Sequence, residues 1–96
     1  MPLEFEWDDK KARTNLAKHA VSFGEATTVF GDVRSLTIPD PAHSKVEDRF
    51  VILGRSHQRR LLVVVYTERG DKVRLISARR ASRNERKQYE EIDPKD

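Results

Sequence analysis

The stretch Arg60-Leu61-Leu62-Val63-Val64-Val65-Tyr66-Thr67 decides the fold. Its apolar residues run consecutively, the pattern of a strand covered on both faces, so it is expected at the centre of a sheet. Upstream, Arg49 to Arg55 predicts a strand, with Phe50 and Ile52 on one face and Val51 and Leu53 on the other. His57 to Arg59 joins the two as a hairpin turn. Downstream, Arg69-Gly70-Asp71 predicts a tight turn and Lys72 to Arg79 the next strand. Connections this short favour antiparallel pairing. Further upstream, Arg34 to Ile38 predicts a short strand closed by Pro39-Asp40-Pro41, and Ala42 to Asp48 an exposed loop.

The N-terminal stretch Leu3-Glu4-Phe5-Glu6-Trp7 alternates apolar and acidic residues, the period of a strand with one buried face. Asp8 is placed to cap a helix from Asp9 to His19. On that helix Ala12, Leu16 and His19 form one stripe, and Lys11, Asn15 and Lys18 the neighbouring one. A second helix opens at Ser22, where Ser22 and Glu25 fit a capping box, and ends at Gly31-Asp32. Ser82 and Glu85 repeat the box and start a last helix that runs to about Glu91. The order β-αα-ββββ-α predicts an α+β domain over residues 1–92, with an antiparallel sheet and its helices on one face. Residues 93–96 are expected to be a frayed tail.

Composition narrows the chemistry. Hydrophobic and charged residues each make up 36% of the 96 residues, which suits one small core under a densely charged surface. The net charge is +3, with twelve arginines against seven lysines. Guanidinium groups match phosphate as a rigid donor fork, so a polyanion or an acidic protein is the expected partner. The chain has no cysteine, which excludes disulfides and thiolate metal sites. No apolar run approaches the roughly 20 residues of a membrane span, and Met1 to Trp7 is acidic, unlike a signal peptide. The expected location is the cytoplasm. No H-E-x-x-H, P-loop or G-x-S-x-G pattern occurs, and no cofactor is expected.

The residues that carry most information are Phe5-Glu6-Trp7-Asp8, Lys11, Asn15, Lys18-His19, Val21, Phe23, Ala26, Phe30, Asp32, Asp48-Arg49-Phe50 and Gly54. They continue with Leu62 to Thr67, Ile76-Ser77-Ala78-Arg79-Arg80-Ala81, Glu85-Arg86 and Tyr89-Glu90-Glu91. In this order the chain resembles the BrnT family of type II toxins, whose fold is similar to that of RelE-like ribonucleases. The resemblance implies an endoribonuclease that blocks translation. It also implies a BrnA-type antitoxin as partner, held in a hetero-oligomer.

Metal-free RNA cleavage uses the substrate's own 2′-hydroxyl as nucleophile, so the protein must move protons and neutralise phosphoryl charge. His19 is the acid–base candidate because imidazole titrates near neutrality, and the family pattern has Lys-His at this point. The structural alternative is that a cationic His19 merely suits the end of a helix dipole. Lys18 is a candidate phosphate contact or a solvated lysine. Arg49 and Arg79 are candidate catalytic cations, expected near one another if their strands approach. Either is alternatively an ion-pair partner, of Asp32 or Asp48. Strand alternation puts Val73, Leu75, Ser77 and Arg79 on one face and Arg74, Ile76, Ala78 and Arg80 on the other. Arg80, Arg83 and Arg86 would form a phosphate-tracking patch, although a charged helix face is usually just solvated. Tyr66 would stack on a base or else belong to the core, and Trp7 is expected in the core. His43 and His57 lie in loops without metal-ligand spacing.

Two other classes remain open from sequence. One is a basic module that binds nucleic acid or antitoxin and cuts nothing. The other is a toxin of similar fold that poisons a topoisomerase.

Overall fold

A computed structural model describes residues 3–40 and 48–92. Strand β1 (Glu4–Glu6) leads into helix α1 (Asp9–His19) and helix α2 (Phe23–Thr27). A 3-10 turn, Thr28–Gly31, extends α2 before strands β2 (Leu36–Pro39), β3 (Arg49–Arg55), β4 (Leu61–Arg69) and β5 (Lys72–Arg80). Helix α3 (Arg83–Ile92) follows. The expected loop and tail at 41–47 and 93–96 lie outside the described residues.

The five strands form one sheet in the order β1-β5-β4-β3-β2, with β4 at its centre as its continuous apolar run demands. Strands β2 to β5 make the expected antiparallel meander. The sheet is nevertheless mixed, because β1 lies parallel to β5. No hairpin links those two strands, so turn geometry does not dictate their direction.

Helices cover both faces, in contrast to the single face expected. One core gathers Val21, Phe23, Ala26 and Val29 from the α2 region against Ile52, Leu62, Val64, Tyr66, Leu75 and Ala78. The other places Tyr89 of α3 against Leu53, Leu61 and Val63. The reason lies in β4 itself. A strand apolar on both sides must be covered on both sides, and α3 is the remaining cover among the described residues.

A bulge in β5 changes which side chains face which helix. Tyr66 pairs with Leu75 but Val65 pairs with Ser77, so Ile76 is an extra residue. Beyond it the alternation is inverted. Ala78 joins Val73 and Leu75 in the core under α1 and α2, while Arg79 pairs with Val63 and so faces α3. The uninterrupted alternation expected from the sequence therefore fails at this residue.

The helix caps follow the sequence closely. Asp8 Oδ1 accepts the Lys10 amide at 2.8 Å. Ser22 Oγ accepts the Glu25 amide at 3.0 Å, but the Glu25 carboxylate turns away from the box. At α3 the box is complete: Ser82 Oγ accepts the Glu85 amide at 3.2 Å and Glu85 Oε1 accepts the Ser82 amide at 2.8 Å.

Candidate active site

Helix α1 docks on the sheet by polar rather than apolar chemistry. Of its stripe of Ala12, Leu16 and His19 only Ala12 packs against the core: Leu16 is half exposed, His19 is exposed, and Asn15 is the helix's buried residue. Strand β1 covers β5 only as far as Arg74, so the edge of β5 beyond it needs another partner. Asn15 supplies one. Its Nδ2 donates to the Ala78 carbonyl at 2.8 Å and its Oδ1 accepts the Ala78 amide at 3.0 Å. The second Nδ2 hydrogen reaches the Val21 carbonyl at 2.9 Å. One carboxamide thus replaces a missing strand and fixes the turn between α1 and α2.

Where the helix meets the bulge, a hollow of about 270 Å³ opens. It is lined by Lys10, Lys11, Thr14, Asn15, Lys18 and His19 from α1, and by Ile76 and Ser77 from the bulge. The set contains three ammonium groups, one imidazole and two hydroxyls, with no carboxylate among the lining residues. Bulges recur beside active sites because they re-aim side chains. A hollow of this composition suits a phosphate group, with the imidazole as its proton-transfer group.

Arg79 and Arg49 do not share that hollow. Arg79 Nη1 and Nη2 grip the two oxygens of Glu85 at 2.8 Å each, on the α3 side of the sheet. This ion pair, with burial opposing it, holds the Glu85 carboxyl at about 2 and raises the Arg79 guanidinium. Arg79 therefore braces the start of α3. Its partner is Glu85, not Asp32 or Asp48. Arg49 pairs with Thr67 while Arg79 pairs with Val63, four residues along β4. At about 3.3 Å per residue the two sites are about 13 Å apart along the strands, with β4 between them. The expectation that they adjoin is corrected by this register.

The sequence pattern describing BrnT, the ribonuclease toxin of type II toxin–antitoxin systems, matches residues 7–85. The chain belongs to the BrnT family. The crystal structure of the ribonuclease toxin BrnT from Brucella abortus is similar in fold, with a TM-score of 0.67 and 24% sequence identity. That likeness covers 85% of this chain and 100% of the Brucella chain. No curated protein matches.

Of the residues that carry the BrnT resemblance, Lys11, Asn15, Lys18, His19, Ile76 and Ser77 all meet around the α1–β5 hollow. The other candidates are dispersed. Arg80 is exposed, on the face opposite Arg79. It lies at the sheet end where α1 also finishes, since Arg60 Nη2 reaches the Ala20 carbonyl and Ala81 bonds to Leu61. Arg83 and Arg86 are exposed along α3. Tyr66 is only 7% exposed. It stacks on Phe50 at 5.5 Å and meets the edge of Phe30 at 4.9 Å, so it is a core residue. Burial, foremost, raises its phenol. Trp7 packs on Phe23 as expected. His43 lies outside the described residues.

A second cleft, of about 490 Å³, is not among the sites expected from the sequence. Asp32, Arg34, Arg55, His57, Thr28 and Tyr89 line it, with Val33 beside them. Asp32 organises one wall. Its Oδ1 accepts the Arg34 amide at 3.0 Å, and its Oδ2 accepts the Arg55 amide at 2.8 Å and the Tyr89 hydroxyl at 2.6 Å. Burial pushes the Asp32 carboxyl up, but these hydrogen bonds and the Arg55 charge outweigh it and hold the group below its ordinary range. The Arg55 guanidinium lies over the Tyr89 ring at 5.4 Å. The signal for this cleft was slight: a side chain at Gly54 would strike Val29, Ser35 and Asp32, so the glycine marks a close approach of backbone.

Among the described residues no three His, Asp or Glu side chains gather as a metal site requires. No helix among them is long and apolar enough to cross a membrane.

Proposed function

We propose that this BrnT-family protein is an endoribonuclease toxin that cuts mRNA in the cytoplasm, blocks translation and is silenced by a BrnA-type antitoxin. The α1–β5 hollow is its catalytic centre. The observation that carries this reading is the meeting of His19, Lys18, Lys11 and Ser77 around one carboxylate-free hollow at a strand bulge.

In this mechanism the neutral imidazole of His19 accepts the proton of the RNA 2′-hydroxyl as that oxygen attacks the adjacent phosphorus. The P–O5′ bond breaks, leaving a 2′,3′-cyclic phosphate, and the 5′-oxygen takes its proton from solvent in this open site. Lys18, Lys11 and Lys10 neutralise the charge that builds on the phosphoryl oxygens, and the Ser77 hydroxyl donates to one of them. The step uses the substrate's nucleophile and the protein's own cations, so it needs no metal. Proton transfer by a positioned imidazole supplies about 10²–10⁴-fold. Arg80, at the same end of the sheet, contacts the RNA backbone and leads toward Arg83 and Arg86 on α3. Arg79 serves this surface indirectly by bracing α3 through Glu85. Arg49 has no part in the hollow.

Incubating purified protein with end-labelled RNA in EDTA tests this function. New fragments with 2′,3′-cyclic phosphate ends, abolished by added antitoxin, are expected. Retardation of intact RNA without fragments would identify a binding module instead. Intact RNA together with blocked DNA supercoiling would identify a topoisomerase poison.

A further inference from the structure

The second cleft differs in kind from the α1–β5 hollow. It carries a saturated carboxylate, a phenol and an aromatic face besides its cations. At its rim stands Val33, a β-branched apolar residue that is 97% exposed. RNA phosphate is better served by the carboxylate-free hollow, whereas charge beside exposed apolar surface suits a protein.

The cleft is also rigidly built. The turn that carries His57 is fastened to α2 at two successive points. Ser56 Oγ donates to Glu25 Oε2 at 2.6 Å. One residue on, the His57 amide donates to Thr28 Oγ1 at 2.9 Å. Thr28 gives its hydroxyl proton to the Glu25 carbonyl at 2.7 Å, so its oxygen can only accept from the imidazole Nδ1 at 3.2 Å. Arg55 is held in turn by its backbone bond to Asp32 and by its seat on Tyr89. Side chains with so little freedom lose little entropy on binding, which is the property of an anchor site.

We propose that this cleft, built from Arg55, His57, Tyr89 and Val33, is the docking site for an antitoxin segment that pairs a carboxylate side chain with an apolar one. The carboxylate lies against the Arg55 guanidinium, and the apolar side chain covers Val33 and the wall beside it. The assignment rests on the toxin reading above only for the partner's identity. Docking here leaves the antitoxin's neighbouring residues to reach the catalytic hollow around the end of the sheet, where the exposed Arg80 supplies further positive charge.

Calorimetric titration of the full chain with a BrnA-type antitoxin tests the proposal without any RNA. Val33→Asp adds a like charge to the partner's carboxylate at a position with no burial to lose. It is expected to weaken antitoxin binding at least tenfold and to leave RNA cleavage within about twofold of wild type. Arg55→Gln, which keeps a planar polar head, is expected to weaken binding at least tenfold as well. Wild-type affinity in both variants would overturn the docking site, even if the protein cuts RNA as proposed. Weakened RNA retention with intact antitoxin affinity would also overturn it, and would make the cleft part of the RNA path. If the wild type cuts no RNA while both variants lose the antitoxin, the docking site stands and the ribonuclease reading falls.

Discussion

The carboxamide of Asn15 engages both backbone groups of Ala78, the amide at 3.0 Å and the carbonyl at 2.8 Å. A helix side chain thus does the work of a sixth strand on β5 at the edge of the α1–β5 hollow. Its geometry is that of a β-ladder, with one donor and one acceptor facing their complements. The same residue reaches Val21, so helix, turn and bulged strand move as one piece.

Asn15→Leu keeps the branching of the side chain but leaves three buried backbone groups without partners. Each unsatisfied group costs about 1–3 kcal/mol, and partial relaxation brings the expected loss to about 3 kcal/mol. Urea unfolding followed by circular dichroism reads this directly. An unchanged midpoint would show that another group takes over the edge of β5.

Arg60 closes the buried carboxylate of Glu25, and that pairing, first among several causes, lowers the Glu25 carboxyl. Ser56 donates to the same carboxylate, so the pair ties the β3–β4 turn to α2. Arg60→Met leaves Glu25 buried without its main partner, and such losses run to about 3 kcal/mol. Combining it with Glu25→Gln should recover more than half of that, because the stranded charge is then gone. A double variant no more stable than Arg60→Met would refute the argument.

Glu85 makes acid sensitivity predictable. Its carboxyl sits at about 2, below the ordinary 4.5, chiefly because of Arg79. Between those values the unfolded chain binds the extra proton, so stability rises with pH across the window. The contribution is complete above about pH 4.5 and is lost as pH falls toward 2. Glu85→Gln should flatten this part of the stability–pH curve, leaving the smaller slope due to Asp8, Glu25 and Asp32. A variant curve parallel to wild type would contradict the ion pair.

Ala20 ends α1 at φ 58°, ψ 32°, in the left-handed region where glycine is at ease. Alanine there costs about 1 kcal/mol, partly offset by the greater freedom glycine has when unfolded. Ala20→Gly is expected to stabilise the fold by about 0.5 kcal/mol, or about 2–4 °C in Tm for a domain of this size. A lower Tm would show that the Arg60 bond to the Ala20 carbonyl needs the present backbone.

Much of this was legible in the sequence because it is local chemistry. Asp8, Ser22 and Ser82 announced their helices, and the run from Leu61 to Val65 announced the central strand. Lys18 and His19 stood out through the family resemblance, and they do line the hollow. What escaped depends on register. A single extra residue at Ile76 inverts the faces of β5 beyond it, and alternation alone cannot reveal a bulge. The same register separates Arg49 from Arg79. The parallel pairing of β1 with β5 joins segments 68 residues apart in Glu4 and Lys72, a distance no periodicity spans. The second cleft escaped for the same reason, since Asp32, Arg55 and Tyr89 meet only after folding.

The account turns on His19 as the group that moves the 2′-hydroxyl proton. Single-turnover cleavage of a labelled RNA in EDTA by wild type and His19→Gln tests it most directly. The predicted result is a fall of about 10²–10⁴-fold in rate, with RNA affinity within about threefold of wild type. Cleavage by His19→Gln at the wild-type rate would contradict the mechanism and move the catalytic centre out of the α1–β5 hollow.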